Sequence, residues 1–128
     1  MCLTLAASFA SADETAWNRF RGPNGSGISP VRGIPTAWTP SDYRWTVDLP
    51  GTGISSPVVW GERLFITAAD EDKLERSLLC YSTKDGKLLW SRGVPFEKEK
   101  QHRHNSYATN TPTVDETRAF LESKSPTK

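Results

Sequence analysis

An internal repeat is the feature that most constrains how this chain can fold. Residues 56–66, SPVVWGERLFI, return as residues 111–121, TPTVDETRAFL, displaced by 55 positions. Four residue types recur in place: Pro57, Val59, Arg63 and Phe65 correspond to Pro112, Val114, Arg118 and Phe120. In each copy a short turn separates two runs of apolar and β-branched residues, which is the pattern of a β-hairpin. Repeated all-β units with a period in this range indicate a propeller or a solenoid.

Strand and turn signals between the two copies predict the rest of the unit. Gly61-Glu62 and Asp85-Gly86 are turn sequences, and Asp-Gly supplies the positive φ angles of a tight hairpin. The charged tract 70–76 predicts a solvated loop. We expect strands over residues 43–48, 57–60, 63–68, 77–82, 87–92, 111–115 and 118–121.

The strand order predicts the fold class. Residues 45–50, WTVDLP, are echoed by residues 90–95, WSRGVP, so the repeat includes more than the hairpin. Four consecutive strands between residues 57 and 92 make one antiparallel four-stranded blade. The predicted fold is therefore all-β, an incomplete β-propeller with about one full blade and parts of two others.

Charge and hydropathy argue against nucleic-acid binding and against a transmembrane helix. The formal net charge is +1, and the Lys and Arg residues are scattered rather than clustered, so we expect no nucleic-acid partner. No stretch reaches the ~18 consecutive apolar residues that a transmembrane helix needs. Other proteins are the expected partners.

The chain divides into four parts by composition. Residues 1–12 are uncharged and apolar and end in Ala10-Ser11-Ala12, the form of a signal-peptidase site, so they predict a signal peptide and a secreted or periplasmic location. No basic residue precedes the apolar run, and a disordered N-terminus or a short buried strand is the alternative. Residues 13–42 form a Pro- and Gly-rich lead-in, residues 43–122 the partial propeller and residues 123–128 a polar tail.

Few residues are candidates for chemistry, and no catalytic motif is present. His102 and His104, two positions apart, could share a metal ion, but we favour an exposed polar loop without a metal because no third ligand is evident. Asn24-Gly25-Ser26 fits a glycosylation acceptor. Cys80 lies in an apolar strand and predicts a packed thiol. We expect no catalytic residue, no cofactor-binding residue and no resident metal.

The residues of the predicted blade carry a family resemblance. Residues 79–90, LCYSTKDGKLLW, resemble the repeat of the pyrroloquinoline-quinone-like (PQQ-like) β-propellers, approximately A-x-D-x-x-x-G-K-x-x-W. Gly86, Lys87 and Trp90 match that repeat, whereas Cys80 and Ser82 replace its usual Ala and Asp. Residues 17–25, WNRFRGPNG, are similar to the lead-in of secreted bacterial members.

The resemblance implies structural roles for the repeated residues. Trp90 and its counterpart Trp45 are expected to lie between blades, and the turn glycine to permit a tight hairpin. The structural repeat positions are Trp45, Pro57, Gly86, Lys87, Trp90 and Pro112. A propeller closes with ~4–8 blades, so we expect this chain to be the N-terminal part of a longer propeller or to complete its sheet by self-association.

The resemblance also implies two alternative functions. The first is a non-enzymatic scaffold for protein interaction in the cell envelope. Family members of this kind include the propeller lipoprotein of the outer-membrane β-barrel assembly machinery (BamB), although this chain lacks a lipoprotein cysteine. The alternative is a fragment of a quinoprotein dehydrogenase that oxidises alcohols or sugars with PQQ and calcium. Only that alternative requires a cofactor.

Overall fold

A computed structural model describes residues 16–100 and 102–121. The predicted signal peptide, 1–12, and polar tail, 123–128, lie outside the described residues. Within them the predicted all-β class is confirmed, with a 3-10 turn at Pro40–Asp42 and no α-helix. The strands are β1 (Val58–Trp60), β2 (Arg63–Asp70), β3 (Glu75–Ser82), β4 (Leu88–Pro95), β5 (Thr113–Val114) and β6 (Ala119–Phe120).

Strands β1 to β4 form one antiparallel sheet in sequence order, and β5 and β6 form a separate two-stranded sheet. Trp60 pairs with Arg63, so Gly61 and Glu62 make the predicted two-residue turn, in which Gly61 has φ +56°. The β3–β4 turn contains Gly86 at φ +72°. Turn residues read from the sequence therefore predict two of the three hairpins of this sheet, β1–β2 and β3–β4.

The two copies of the repeat form hairpins with the same register. In the first copy Val58 pairs with Phe65 and Val59 with Leu64. In the second copy the residues 55 positions further along pair in the same way, Thr113 with Phe120 and Val114 with Ala119. The sequence repeat is thus also a repeat of backbone pairing. Strands β5 and β6 are shorter than predicted.

The prediction that residues 70–76 form a loop is wrong at both ends. Strand β2 continues to Asp70 and β3 begins at Glu75, and these two residues pair in the ladder. One oxygen of the Asp70 carboxylate accepts the backbone N–H groups of Asp72 and Lys73, and the other lies 2.7 Å from the Lys73 ammonium. Charged side chains can occupy strand ends here because they close a tight exposed turn.

The prediction of a strand over residues 43–48 is also wrong. These residues form no ladder with any described strand. Val47 packs instead against a buried cluster on one face of the four-stranded sheet, and Trp45 packs on the β3–β4 turn, as described below. Strand β4 extends to Pro95, three residues beyond the predicted end at Arg92, because Glu75 and Arg76 of β3 provide ladder partners.

The turn of the second hairpin predicts a pH dependence. Hydrogen bonds from the backbone N–H groups of Thr117 and Arg118 hold the pKa of Asp115 below its ordinary value. The Asp115 carboxylate therefore stabilises the turn fully above the pKa that Asp115 has in the unfolded chain. This stabilisation is lost as the pH falls through the lower pKa that Asp115 has in the folded chain. We expect the amide resonances of Thr117 and Arg118 to shift through that acid range in NMR titrations.

Asp115→Asn is the matched control for this titration, because asparagine keeps an oxygen acceptor but cannot ionise. The variant should lack the acid transition at Thr117. A transition of the same size in both proteins would show that another group causes it.

Candidate functional site

The four-stranded sheet has two faces, which its register defines. We call front face the side that carries Val58, Phe65, Leu78, Cys80 and Trp90, and back face the side that carries Leu64, Ile66, Ala68, Leu79 and Tyr81. Each set belongs to a separate buried cluster. Because both faces are apolar, each needs a cover.

The second hairpin covers the front face. Val114, 2% exposed, belongs to the same buried cluster as Val58, Phe65 and Cys80, and Ala119 packs against that cluster. Val114 and Ala119 are the repeat counterparts of Val59 and Leu64. Leu64 lies on the back face of the first sheet, and its ladder partner Val59 lies on the same face. The back face of the second hairpin therefore packs on the front face of the first sheet, so the two repeat units contact each other through opposite faces, which is a head-to-tail arrangement.

The opposite side of the second hairpin remains open. Phe120, the counterpart of the buried Phe65, is 48% exposed, and Thr113, the counterpart of the buried Val58, is also exposed. The Arg118 guanidinium lies 5.5 Å from the centre of the Phe120 ring. Within the described residues, the second hairpin thus presents an uncovered copy of the front face.

Residues 43–50 contact the four-stranded sheet at two places, Val47 on the back face and Trp45 on the β3–β4 turn. Val47 packs against the back-face cluster. The Trp45 indole Nε1–H donates to the Thr83 carbonyl at 3.0 Å, and the ring covers the β3–β4 turn. A Cβ added at Gly86 would lie 2.8 Å from the Trp45 ring. Glycine is required here for both its positive φ and its lack of a side chain.

The lead-in joins the two copies of the repeat. The Val59 N–H donates to the Trp17 carbonyl at 2.8 Å, and the Val114 N–H donates to the next carbonyl, that of Asn18, at 2.9 Å. Val59 and Val114 are equivalent positions of the repeat, so one short segment bridges both hairpins in the same manner. No residue pattern in the sequence indicates this contact, because two backbone carbonyls make it.

The remaining structural repeat residues occupy different environments. Trp90 is half-buried on the front face, 5.9 Å from the Phe65 ring and 6.0 Å from the Arg92 guanidinium. Lys87 is exposed, with its ammonium 3.3 Å from the Asp85 carboxylate. Pro57 is exposed just before β1, whereas its counterpart Pro112 is fully buried. The two copies therefore share register but not burial.

The connection that contains the two histidines is folded rather than open. Phe96 and Tyr107 stack with ring centres 4.2 Å apart, and the Tyr107 hydroxyl donates to the Glu99 carbonyl at 2.8 Å and accepts the Glu99 N–H at 3.0 Å. The Ala108 carbonyl accepts the Ile54 N–H at 3.1 Å. The sequence does not reveal this contact, because a spacing of eleven positions between two aromatic residues matches no helix or strand period.

His102 and His104 each already use one ring nitrogen as the acceptor of a hydrogen bond within the loop. Their ring centres are 5.3 Å apart. Nε2 of His104 accepts from the Arg103 guanidinium at 3.0 Å, and Nδ1 of His102 accepts the His104 backbone N–H at 3.4 Å. An adjacent guanidinium opposes a cation. Among the described residues no group of three His, Cys, Asp or Glu side chains could hold a metal ion.

The carboxylates serve local turns. Hydrogen bonds from residues two or three positions away, with Thr39, Lys73, Ser82 and Thr117 contributing most, lower the pKa values of Asp42, Asp70, Asp85 and Asp115 respectively. A cavity of about 320 Å³ beside the β2–β3 turn is lined by acidic residues, but Asp70 there is already paired with Lys73. Burial raises the pKa of the Cys80 thiol, which disfavours the reactive thiolate.

Comparison with known proteins adds no relative. Neither the scan against protein-family models nor the searches of curated proteins and of solved structures return a match. The fold and the contacts define an all-β protein with a repeated hairpin that stacks on itself. No helix in the described part of the chain is long and apolar enough to cross a membrane.

Proposed function

We propose that this chain is a segment of a PQQ-like β-propeller that acts as a non-enzymatic scaffold for protein interaction, in a secreted or periplasmic location. The head-to-tail packing of the second hairpin on the front face carries the proposal. Consecutive propeller units must stack in this manner, because each unit buries only one side of its neighbour. The identical registers of the two hairpins support the same interpretation.

The uncovered copy of the front face on the second hairpin supports the packing of a further repeat unit against this hairpin. Repeat proteins bury their apolar faces by stacking, and each unit contacts only its neighbours. A head-to-tail contact that is repeated closes into a ring or extends as a filament. The partner at this end is therefore either a further unit of a longer propeller or a second copy of this chain.

The outer edge of the sheet supports interaction with other proteins. Among the described strands, β4 has a ladder partner only on its β3 side, and three apolar side chains along it are about half exposed: Leu88, Leu89 and Val94. An open strand edge with apolar side chains is a surface to which another chain can bind. Scaffold function requires such a surface.

The quinoprotein alternative has less support. PQQ enzymes need carboxylate and amide oxygens that converge on calcium. Acidic residues of the β2–β3 turn line one cavity, but no three His, Cys, Asp or Glu side chains among the described residues are grouped so that they could hold a metal ion. The described residues therefore do not fit a PQQ–calcium centre, and we derive no reaction for them.

Site-specific photo-crosslinking tests the scaffold proposal. The chain, with its own N-terminus, is expressed in a Gram-negative host with a benzophenone amino acid at Leu89 on the β4 edge. We expect it in the periplasmic fraction, with a defined adduct to an extracytoplasmic protein or to a second copy. Arg32, exposed in the Pro- and Gly-rich lead-in, is the control position and should give no such adduct.

Two outcomes would contradict the proposal in different ways. Retention in the cytoplasm would reject the proposed location, and an exported chain without an adduct at Leu89, or with equal adducts at both positions, would reject β4 as the interaction edge.

A further inference from the structure

The loop that follows Trp17 contains the sequence Asn24-Gly25-Ser26, which neither the fold nor the proposed function explains. All three residues are exposed. The Asn24 side-chain carbonyl oxygen accepts two hydrogen bonds from Ser26, one from the backbone N–H at 3.0 Å and one from the hydroxyl at 2.7 Å. The Ser26 hydroxyl oxygen in turn accepts the Ile28 N–H at 3.2 Å, which orients it. The Asn24 amide is thus polarised by two positioned donors.

We propose that Asn24 is a site of spontaneous succinimide formation and deamidation, promoted by Ser26. The Gly25 backbone nitrogen attacks the Asn24 side-chain carbon, a C–N bond forms, and the nitrogen gives its proton to solvent base. The carbonyl oxygen carries the negative charge of the tetrahedral intermediate, where the two Ser26 donors stabilise it. The intermediate collapses, the original C–N bond breaks, and ammonia leaves with a proton from water.

Water then opens the succinimide ring. Addition of hydroxide at either carbonyl yields aspartate or isoaspartate at position 24, so the net reaction consumes one water and releases one ammonia. No oxidant, metal or cofactor is required. The substrate is the side-chain amide of the protein itself.

Gly25 makes the attack sterically accessible. A Cβ added at Gly25 would have no heavy atom within 4 Å, so no other residue crowds the Cβ side of Gly25. Glycine also has no side chain to shield its own nitrogen, and its φ of +70° is a conformation that it adopts without strain. The Gly25 N–H bond to the Gly22 carbonyl, 3.1 Å, must open first.

The surroundings would stabilise the product. The Arg19 guanidinium donates to the Gly22 and Pro23 carbonyls, and the Arg21 guanidinium donates to the Ser26 carbonyl at 3.3 Å. These carbonyls lie on both sides of position 24. Among the described residues neither arginine is paired with a carboxylate. A carboxylate at position 24 would supply the missing counter-charge.

The test is incubation of the folded chain at mildly alkaline pH, followed by peptide mapping with mass spectrometry and enzymatic isoaspartate detection. We expect Asn24 to convert faster than Asn105, which is also exposed but precedes Ser106 rather than glycine. The rate should rise with pH, because the attacking nitrogen must lose its proton. Conversion of Asn24 no faster than that of Asn105 would overturn the proposal.

Variants separate the role of Ser26 from the reactivity of any Asn-Gly pair. Ser26→Ala removes one donor and should slow the reaction about fivefold, whereas Ser26→Thr should keep the rate. In urea, where the loop hydrogen bonds are absent, the wild-type chain and Ser26→Ala should convert equally. Equal rates in the folded proteins, or a difference that persists in urea, would contradict promotion by the folded loop.

Discussion

Replacement of Gly86 by alanine is expected to lower the free energy of unfolding by about 3 kcal/mol. Two costs combine in this variant. Gly86 has φ +72°, which is strained for alanine, and the new methyl group would lie 2.8 Å from the Trp45 ring. Urea unfolding followed by tryptophan fluorescence and circular dichroism measures the loss. The result tests whether Trp45 packs on the β3–β4 turn.

Gly61→Ala is the matched control for the backbone cost. Gly61 also has positive φ, +56°, but no atom lies within 4 Å of the added methyl group. We expect this variant to lose only about 1 kcal/mol. In a Trp45→Ala background, the cost of Gly86→Ala should fall to the same level, because the ring has been removed. Equal costs for Gly86→Ala with and without Trp45 would show that the ring lies elsewhere.

Substitution of Val114 by aspartate is expected to detach the second hairpin, with a loss of about 3 kcal/mol in the free energy of docking. Val114 is 2% exposed within the front-face cluster, where a carboxylate would have neither water nor a positive partner. Trp90 belongs to the same cluster, so its fluorescence should report the exposure of the front face. Hydrogen exchange of the Val114 amide, which donates to the Asn18 carbonyl, should accelerate.

Thr113→Asp is the control because it changes the neighbouring residue on the same strand. Thr113 points to the open side of the hairpin and is exposed. Its substitution should change stability by no more than about 0.5 kcal/mol. Similar losses in both variants would contradict the assignment of which face of the hairpin is buried.

Local chemistry explains which parts of the fold were predictable. Gly61 and Gly86 have positive φ in short turns, so the β1–β2 and β3–β4 hairpins can be predicted from their turn residues and the flanking apolar runs. The exact offset of the repeat predicted the shared register of Val59 and Val114. These features depend on residues close together in sequence.

Non-local contacts explain what the sequence did not reveal. Residues 43–48 have strand-like composition, but without a ladder partner among the described strands they pack through Trp45 and Val47 instead. The loop predicted over residues 70–76 is shorter in the structure, because Asp70 and Glu75 pair across a turn that Lys73 stabilises. The bridge from Trp17 and Asn18 to both hairpins is made by backbone carbonyls, which every residue has. No residue type marks such a contact.

The candidate site shows the same division. Trp45 and Gly86 were both predicted to be repeat residues. Their contact with each other depends on how residues 43–48 pack against the β3–β4 turn, which the sequence does not show. The spacing of His102 and His104 suggested a shared metal ion. In the structure, however, the Arg103 guanidinium donates a hydrogen bond to His104, and a backbone N–H donates one to His102. Spacing alone does not determine where a side chain nitrogen points.

Nuclear Overhauser contacts in the isotopically labelled chain test the central claim most directly. The account predicts cross-strand contacts for Val59–Leu64 and Val114–Ala119 in the same register, together with contacts from the Val114 methyl groups to the side chains of Phe65 and Cys80. A second hairpin with a different register, or Val114 methyl groups without contacts to the front face, would contradict the head-to-tail stacking on which the proposed propeller rests.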